Sequence, residues 1–530
     1  MAEPKSRKKK KYIRSLVSGR GRKHLEVLFD YDLWGRKVLD YTTAQDQHYE
    51  VDLYMFFPPH LGVGKASWPK DTFYEDLRPF MRFSEPRYGF KDFERRVFVR
   101  FDHYLHDFLH AKPMESASQM AAECLIFGCA FHNFAMRRVS RCVKWIQDPR
   151  RYDKGVAIAM NSSRKTFLLI ARWRKLRRTF ESHSDVIDDR ILKEMAIVDE
   201  FCSMRVRDAI GQMLHAIQQG PEQKKLERRL YGFFRLEKRY AELQGWMWMD
   251  AQTDSTEVEE YAVHRRSLKR HVWRVLFLDT RTPSLFALKK QSGYIIAAGV
   301  AALWASVAQV MMVRQIQYGW EETENWGLGV LIMASIIAYI LKDRIKDVLR
   351  DRFAGGILGR LPDRSERVWY TDADGEKVVV GDLQEVRHFL KEEEFPKNLE
   401  ILREDVFGEK RHEVVVHYRK TIKLYAMALK CVPHLLRGVR DIQRLSLDRW
   451  RPHLDAIQSH VYTVEPGKKT IEKQLPGVSY VDILVSHTRV LYGQKLKPEL
   501  QVIRAVLDRD GLCRVDHLAT QTFNFQKDKI

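Results

Sequence analysis

An α+β membrane protein is the fold class this sequence predicts: a two-helix transmembrane hairpin between a mainly helical N-terminal cytosolic region and a C-terminal α+β cytosolic domain. Three observations predict it. Two central runs lack Asp, Glu, Lys and Arg, apolar residues recur at helical spacing from Asp102 to Leu278, and strand-like runs with Asp-Gly turns follow Val368.

The opening segment, residues 1–25, carries Lys5, Arg7, Lys8, Lys9, Lys10 and Lys11 and is too polar to bury. It lacks the apolar core of a secretory signal, so disorder and a cytosolic N-terminus are expected. Beside an anionic inner leaflet each such cation would gain about 1 kcal/mol. Residues 26–100 alternate short aromatic and β-branched runs, such as Glu50 to Phe57, with Pro and Gly clusters, and a small α+β region is expected there. Within it, Gly62-Val63-Gly64-Lys65 falls short of a phosphate loop. Pro59 stands where the first glycine belongs, and Ala66 where a hydroxyl should meet magnesium.

From 101 to 285 the helical period predicts a bundle with breaks at Gln147 to Lys154, Glu181 to Ser184, Gly220-Pro221 and Gln252 to Ser255. Ser184, followed by Asp185, Asp188 and Asp189, reads as a helix start. Ser118 to Met136 is apolar-rich, but Glu123, His132 and Asn133 interrupt it, which predicts a core helix rather than a membrane span. His103, His106 and His110 fall on one helical face, a weak candidate metal set beside Asp107.

Residues 292–313 would form about 33 Å of uncharged helix, and 326–341 about 24 Å, against roughly 30 Å of hydrocarbon. Two transmembrane helices joined by a short outer loop at 314–325 are the expectation. Lys289 and Lys290 before the first run, and Lys342, Arg344, Lys346 and Arg350 after the second, predict cytosolic flanks and contact with the lipid surface. Ala297, Ala301 and Ala305 on the first helix and Ala334 and Ala338 on the second recur every four residues, which predicts close helix packing or, alternatively, self-association. Residues 342–360 continue as a charged juxtamembrane helix, with Lys342, Lys346 and Arg350 in one stripe and Asp343, Asp347 and Asp351 in the next.

The last region, 366–530, is expected to be an α+β domain with hairpins around Asp374-Gly375 and Asp510-Gly511. Strands are predicted at His412 to His417, Arg444 to Trp450, His460 to Val464 and Val478 to Val485, and helical pieces at Leu383 to Glu394 and Ala426 to Arg437.

A net charge of +21 draws the chain toward polyanions, and the tethered tail favours anionic inner-leaflet lipids of the bilayer over nucleic acid. Six cysteines without CxxC or Cys/His spacing predict neither a disulfide framework nor zinc, and no cofactor is expected. No hydrolase elbow, dinucleotide turn or kinase signature occurs, so no catalytic residue emerges. The function predicted is a membrane-anchored cytosolic scaffold or signalling protein acting through a protein partner. The alternatives are an enzyme at the cytosolic membrane surface and an oligomeric pore-forming effector.

Overall fold

The computed structural model describes residues 13–20, 24–32, 46–110, 115–221, 223–249, 254–281, 284–318, 327–355, 362–372, 375–391, 394–396, 399, 406, 413–433, 435–436, 438–454, 459–463, 471–475, 477–491, 494–495 and 498–522. Strands β1 (Ile13–Arg20), β2 (His24–Asp32) and β3 (Gln47–Phe57) come first, then the short helix α1 (Lys70–Asp76) and strand β4 (Leu77–Phe83). A helical region follows. It comprises α2 (Phe90–Asp92), leading through a π turn into α3 (Val99–Leu109), then α4 (Glu115–Ile146), α5 (Tyr152–Glu181), α6 (Asp189–Gln218), α7 (Lys224–Leu243) and α8 (Ser255–Trp273). Strand β5 (Asp279–Arg281) precedes the long helices α9 (Ser284–Tyr318) and α10 (Gly327–Gly355). The remaining strands are β6 (Arg364–Thr371), β7 (Lys377–Leu390), β8 (Val414–Leu424), β9 (Gly438–Ser446) and β10 (Ser459–Thr463). They continue with β11 (Ile471–Leu475), β12 (Ser479–Leu491), β13 (Gln494–Lys495), β14 (Glu499–Asp508) and β15 (Gly511–Thr522).

Strands from the two ends of the chain share their sheets. One sheet runs β1-β2-β9-β4, and the larger runs β15-β14-β12-β3-β8-β7-β6-β5 with β13 on β12. Strand β3 is central, pairing Val51 with His487 of β12 on one side and with Lys420 of β8 on the other. That position explains its composition: Val51 to Phe57 are all buried, the continuous pattern of a strand covered on both faces. The sheets meet over an aromatic core in which Trp68 and Trp450 lie 5.1 Å apart and Phe57 reaches Trp450 at 5.0 Å. Phe29 of the small sheet stacks on His487 of the large one at 5.6 Å.

Both Asp-Gly hairpins form, as β6–β7 and β14–β15. The helix expected at Leu383 to Glu394 is instead the end of β7. Leu383, Glu385 and Arg387 are buried while Gln384 and His388 are exposed, so the two-residue period was concealed by charges pointing inward. Among the described residues of Ala426 to Arg437 the helical structure is a 3-10 turn at Ala428–Cys431, and the strand expected at Arg444 lies earlier, as β9. Gly381 faces a register shift between Val368 and Trp369, and a Cβ there would stand 2.3 Å from the Lys423 carbonyl oxygen, so the bulge requires glycine.

The helical region packs around α4, which contacts α5, α6 and α8. Ser118 to Met136 lies within it as a core helix, and Glu123, fully buried, receives two hydrogen bonds from Arg100 at 2.6 and 2.8 Å. Phe127 stacks on Trp173 of α5 at 4.1 Å. Helix α6 begins one turn later than Ser184, where the Asp188 side chain accepts the Arg190 N–H at 2.8 Å.

On the same α4, His132 packs near Trp273 and its Nδ1 has no hydrogen-bond partner among the described residues. Burial first, then repulsion from Arg205, pulls it down to about 4. Because the unfolded chain binds this proton from pH 6.5 downward and the folded chain only near pH 4, stability is full above pH 6.5 and drains as pH falls toward 4. The loss should reach up to about 3 kcal/mol. Denaturant melts of wild type and His132→Phe between these pH values should show a shallower slope in the variant, and parallel slopes would contradict this.

The structure corrects the membrane assignment. Among the described residues no helix is long and apolar enough to cross a membrane, so neither the transmembrane hairpin nor the two-span, multi-pass placement with both termini in the cytosol has support. The physical reason lies in the make-up of the runs. Alanine and glycine, which carry little apolar area, fill much of 292–313 together with Ser306 and Gln309, and the uncharged run in α10 ends at Leu341 before Lys342 and Asp343. What forms instead is a pair of packed helices, α9 against α10. Ala301 is buried, and Ala305, Ala334 and Ala338 are partly covered, whereas Leu303, Val310, Ile336 and Ile340 are exposed.

A basic cleft as candidate functional site

The C-terminal half of α4 runs beside α5, and the connection from β4 to α2 closes the space between them. On α4, Phe134, Arg137, Arg138 and Arg141 recur at i, i+3, i+4 and i+7 and so share one face. On α5, Ile158, Asn161, Ser162 and Lys165 have the same spacing. With Asn133 and with Arg87 and Tyr88 of the connection they line a cleft of about 410 Å³, the size of a small-molecule site. Gly155 lets the start of α5 come close to the end of α4, because a Cβ there would meet the Ile146 backbone nitrogen at 2.8 Å.

No Asp, Glu, His or Cys stands among the described lining residues. The Arg138 guanidinium lies 4.1 Å over the Phe134 ring and the Lys165 ammonium 5.8 Å over Phe90. Neither of these, nor Arg141, makes an ion pair among the described residues. Partial burial holds Arg138 below its ordinary value; Cys142 opposes that shift and the neighbouring Arg141 adds to it. The inner end is polar but neutral. Asn133 donates to the Pro86 carbonyl at 3.4 Å, Tyr88 donates to the Leu435 carbonyl at 2.7 Å, and Ser162 is buried. Planar guanidinium forks above neutral hydrogen-bonding groups suit an oxyanion, phosphate above all.

None of the candidate site residues read from the sequence lies in this cleft, although Asn133, read there as a polar interruption of a core helix, lines it. His106 and His110 stack at 4.1 Å at the end of α3, and His110 Nδ1 donates to the His106 carbonyl at 2.7 Å. Among the described residues no group of three or more His, Cys, Asp or Glu could hold a metal, and His103 joins no such set. Lys5, Arg7, Lys8, Lys9, Lys10 and Lys11 lie outside the described residues. Lys289 and Lys290 fall on α9, and Lys342, Arg344, Lys346 and Arg350 on α10, where Lys342 sits 5.0 Å from the Tyr339 ring centre. The cleft did leave one trace in the sequence: Arg137, Arg138 and Arg141 follow directly on the apolar core of α4.

Fold and cleft together define an α+β protein with a cationic cleft between two helices of its bundle. No protein-family model, no curated protein and no solved structure matches the chain.

Proposed function

We propose that this chain is a recognition protein of the scaffold type, which holds a phosphate-bearing ligand in the basic cleft and does not turn it over. The observation that carries the reading is the set of five cations, Arg87, Arg137, Arg138, Arg141 and Lys165, gathered on one cavity without a carboxylate among the described lining residues. General acid-base chemistry is most often carried by His, Asp or Glu, and none of these stands among the described lining residues. An arginine-lined cleft without such a group binds and orients.

Calorimetric titration of the full chain with inorganic pyrophosphate tests this. Each of Arg138→Gln and Arg141→Gln should weaken binding by about tenfold to a hundredfold, the worth of one charge-assisted contact. Arg138→Lys keeps the stem over Phe134 and should lose less. Affinity for a phosphomonoester should also fall as pH drops through about 6, where the ligand rather than arginine changes charge. Absence of pyrophosphate binding by wild type, or equal affinity in folded Gln variants, would contradict the reading.

A further inference from the structure

We infer that the ligand of the cleft is a phosphorylated polyol bearing at least two phosphoryl groups, an assignment that rests on the anion-binding reading above. Charge is the first argument. Arg138, Arg141 and Lys165 present three positive charges without ion-pair partners among the described residues, whereas one phosphoryl group carries only about −1.5 to −2. Two such groups match the set, and the cations stand on two helices, so the negative charge has to be spread over more than one side of the ligand.

Neutral hydrogen bonding is the second argument. Asn133, Asn161 and Ser162 supply amide and hydroxyl groups that can both donate and accept, which is what an alcohol requires. Asn133 spends one amide N–H on the Pro86 carbonyl and keeps its own carbonyl oxygen as an acceptor. The third argument is what the aromatic rings are doing. Phe134 is buried under the Arg138 guanidinium and packs at 5.7 Å against Phe93, while Tyr88 is tied by its hydroxyl to Leu435 and meets Phe93 at 5.8 Å. These rings build the wall rather than a platform for a nucleobase, which separates a polyol phosphate from a nucleotide.

Calorimetry on the full chain with inositol trisphosphate, ATP and inorganic pyrophosphate reads the assignment. Inositol trisphosphate should bind at least about tenfold tighter than either competitor, from one or two extra neutral hydrogen bonds and from phosphoryl groups set around a ring rather than joined in one chain. Asn161→Leu, on the exposed side of α5, should erase that preference by lowering inositol trisphosphate affinity more than pyrophosphate affinity, and an equal loss for both would count against the polyol assignment. Phosphatidylcholine vesicles with and without a phosphoinositide distinguish the sources: capture by phosphoinositide vesicles, competed by soluble inositol trisphosphate, supports a headgroup, and binding of the soluble compound alone supports a free metabolite. ATP or pyrophosphate binding as tightly as inositol trisphosphate overturns the polyol assignment and leaves the anion reading standing. If phosphatidylserine vesicles capture the protein equally well, the assignment is likewise overturned. If no anion binds, both readings fall.

Discussion

Replacing Lys420 by methionine is expected to remove about 3–5 kcal/mol of stability. Lys420 is fully buried in the space between the two sheets, 2.7 Å from Asp441 of β9 and 3.8 Å from Glu385 of β7. Asp441 is also approached by the Gln443 amide at 3.3 Å, and Glu385 accepts from the Tyr418 hydroxyl at 2.7 Å. Burial pushes the Glu385 carboxyl up, against the pull of Lys420, and holds the Tyr418 phenol well above its usual range. Methionine matches the lysine stem in volume, so packing changes little and the loss measures two carboxyl groups left without their cation. Replacing Lys420, Glu385 and Asp441 together by Met, Leu and Leu should restore most of that stability, because an apolar set of similar volume carries no desolvation cost. Chemical denaturation of both variants decides. A single variant as stable as wild type would show that the buried lysine does not hold these acids.

A loss of similar size is expected for Arg174→Met in the helical region. Arg174 of α5 donates from Nε to Asp199 of α6 at 3.0 Å and from Nη1 to Glu237 of α7 at 3.1 Å, and both acids are fully buried. Its guanidinium also covers the Tyr240 ring at 3.6 Å, while the Tyr240 hydroxyl donates to Asp199 at 2.8 Å. Burial works against the charge on Arg174, yet Glu237 and Asp199 outweigh it and leave the guanidinium above its ordinary value. Arg177 still reaches Asp199 at 3.1 Å after the substitution, so Glu237 bears most of the penalty. The expected cost is therefore about 3–5 kcal/mol, and Arg174→Lys, which cannot span both carboxylates, should lose part of it. The additional substitution Glu237→Gln should recover stability in the methionine background. If it does not, the network is not held together through this arginine.

The two networks show why so little of the tertiary pairing was legible in the sequence. Lys420, Glu385, Arg174 and Asp199 look like surface residues in one dimension, since charge is normally solvated. Their partners lie 21 to 63 positions away, as with Lys420 and Asp441 or Arg174 and Glu237, so no local pattern reveals the pairing. Glu385 and Arg387 even concealed β7, because inward charges erased the alternation of polar and apolar residues by which a strand is recognised. The apolar runs of α9 and α10 misled in the opposite sense. Their lack of charge was visible, whereas the short reach of one and the alanine-rich make-up of the other decided the outcome.

By itself the sequence determined what depends on neighbours a few positions apart. Asp510-Gly511 turns a hairpin because glycine accepts φ +121°, and the breaks near 147, 182 and 220 end helices where the apolar period stops. Only the tertiary structure decided that β3 inserts between β8 and β12, and that arginines of α4 and a lysine of α5 line the same cavity. Strand partners and converging cations are chosen by the free energy of closing long loops and burying shared surface, and that free energy belongs to the folded chain as a whole.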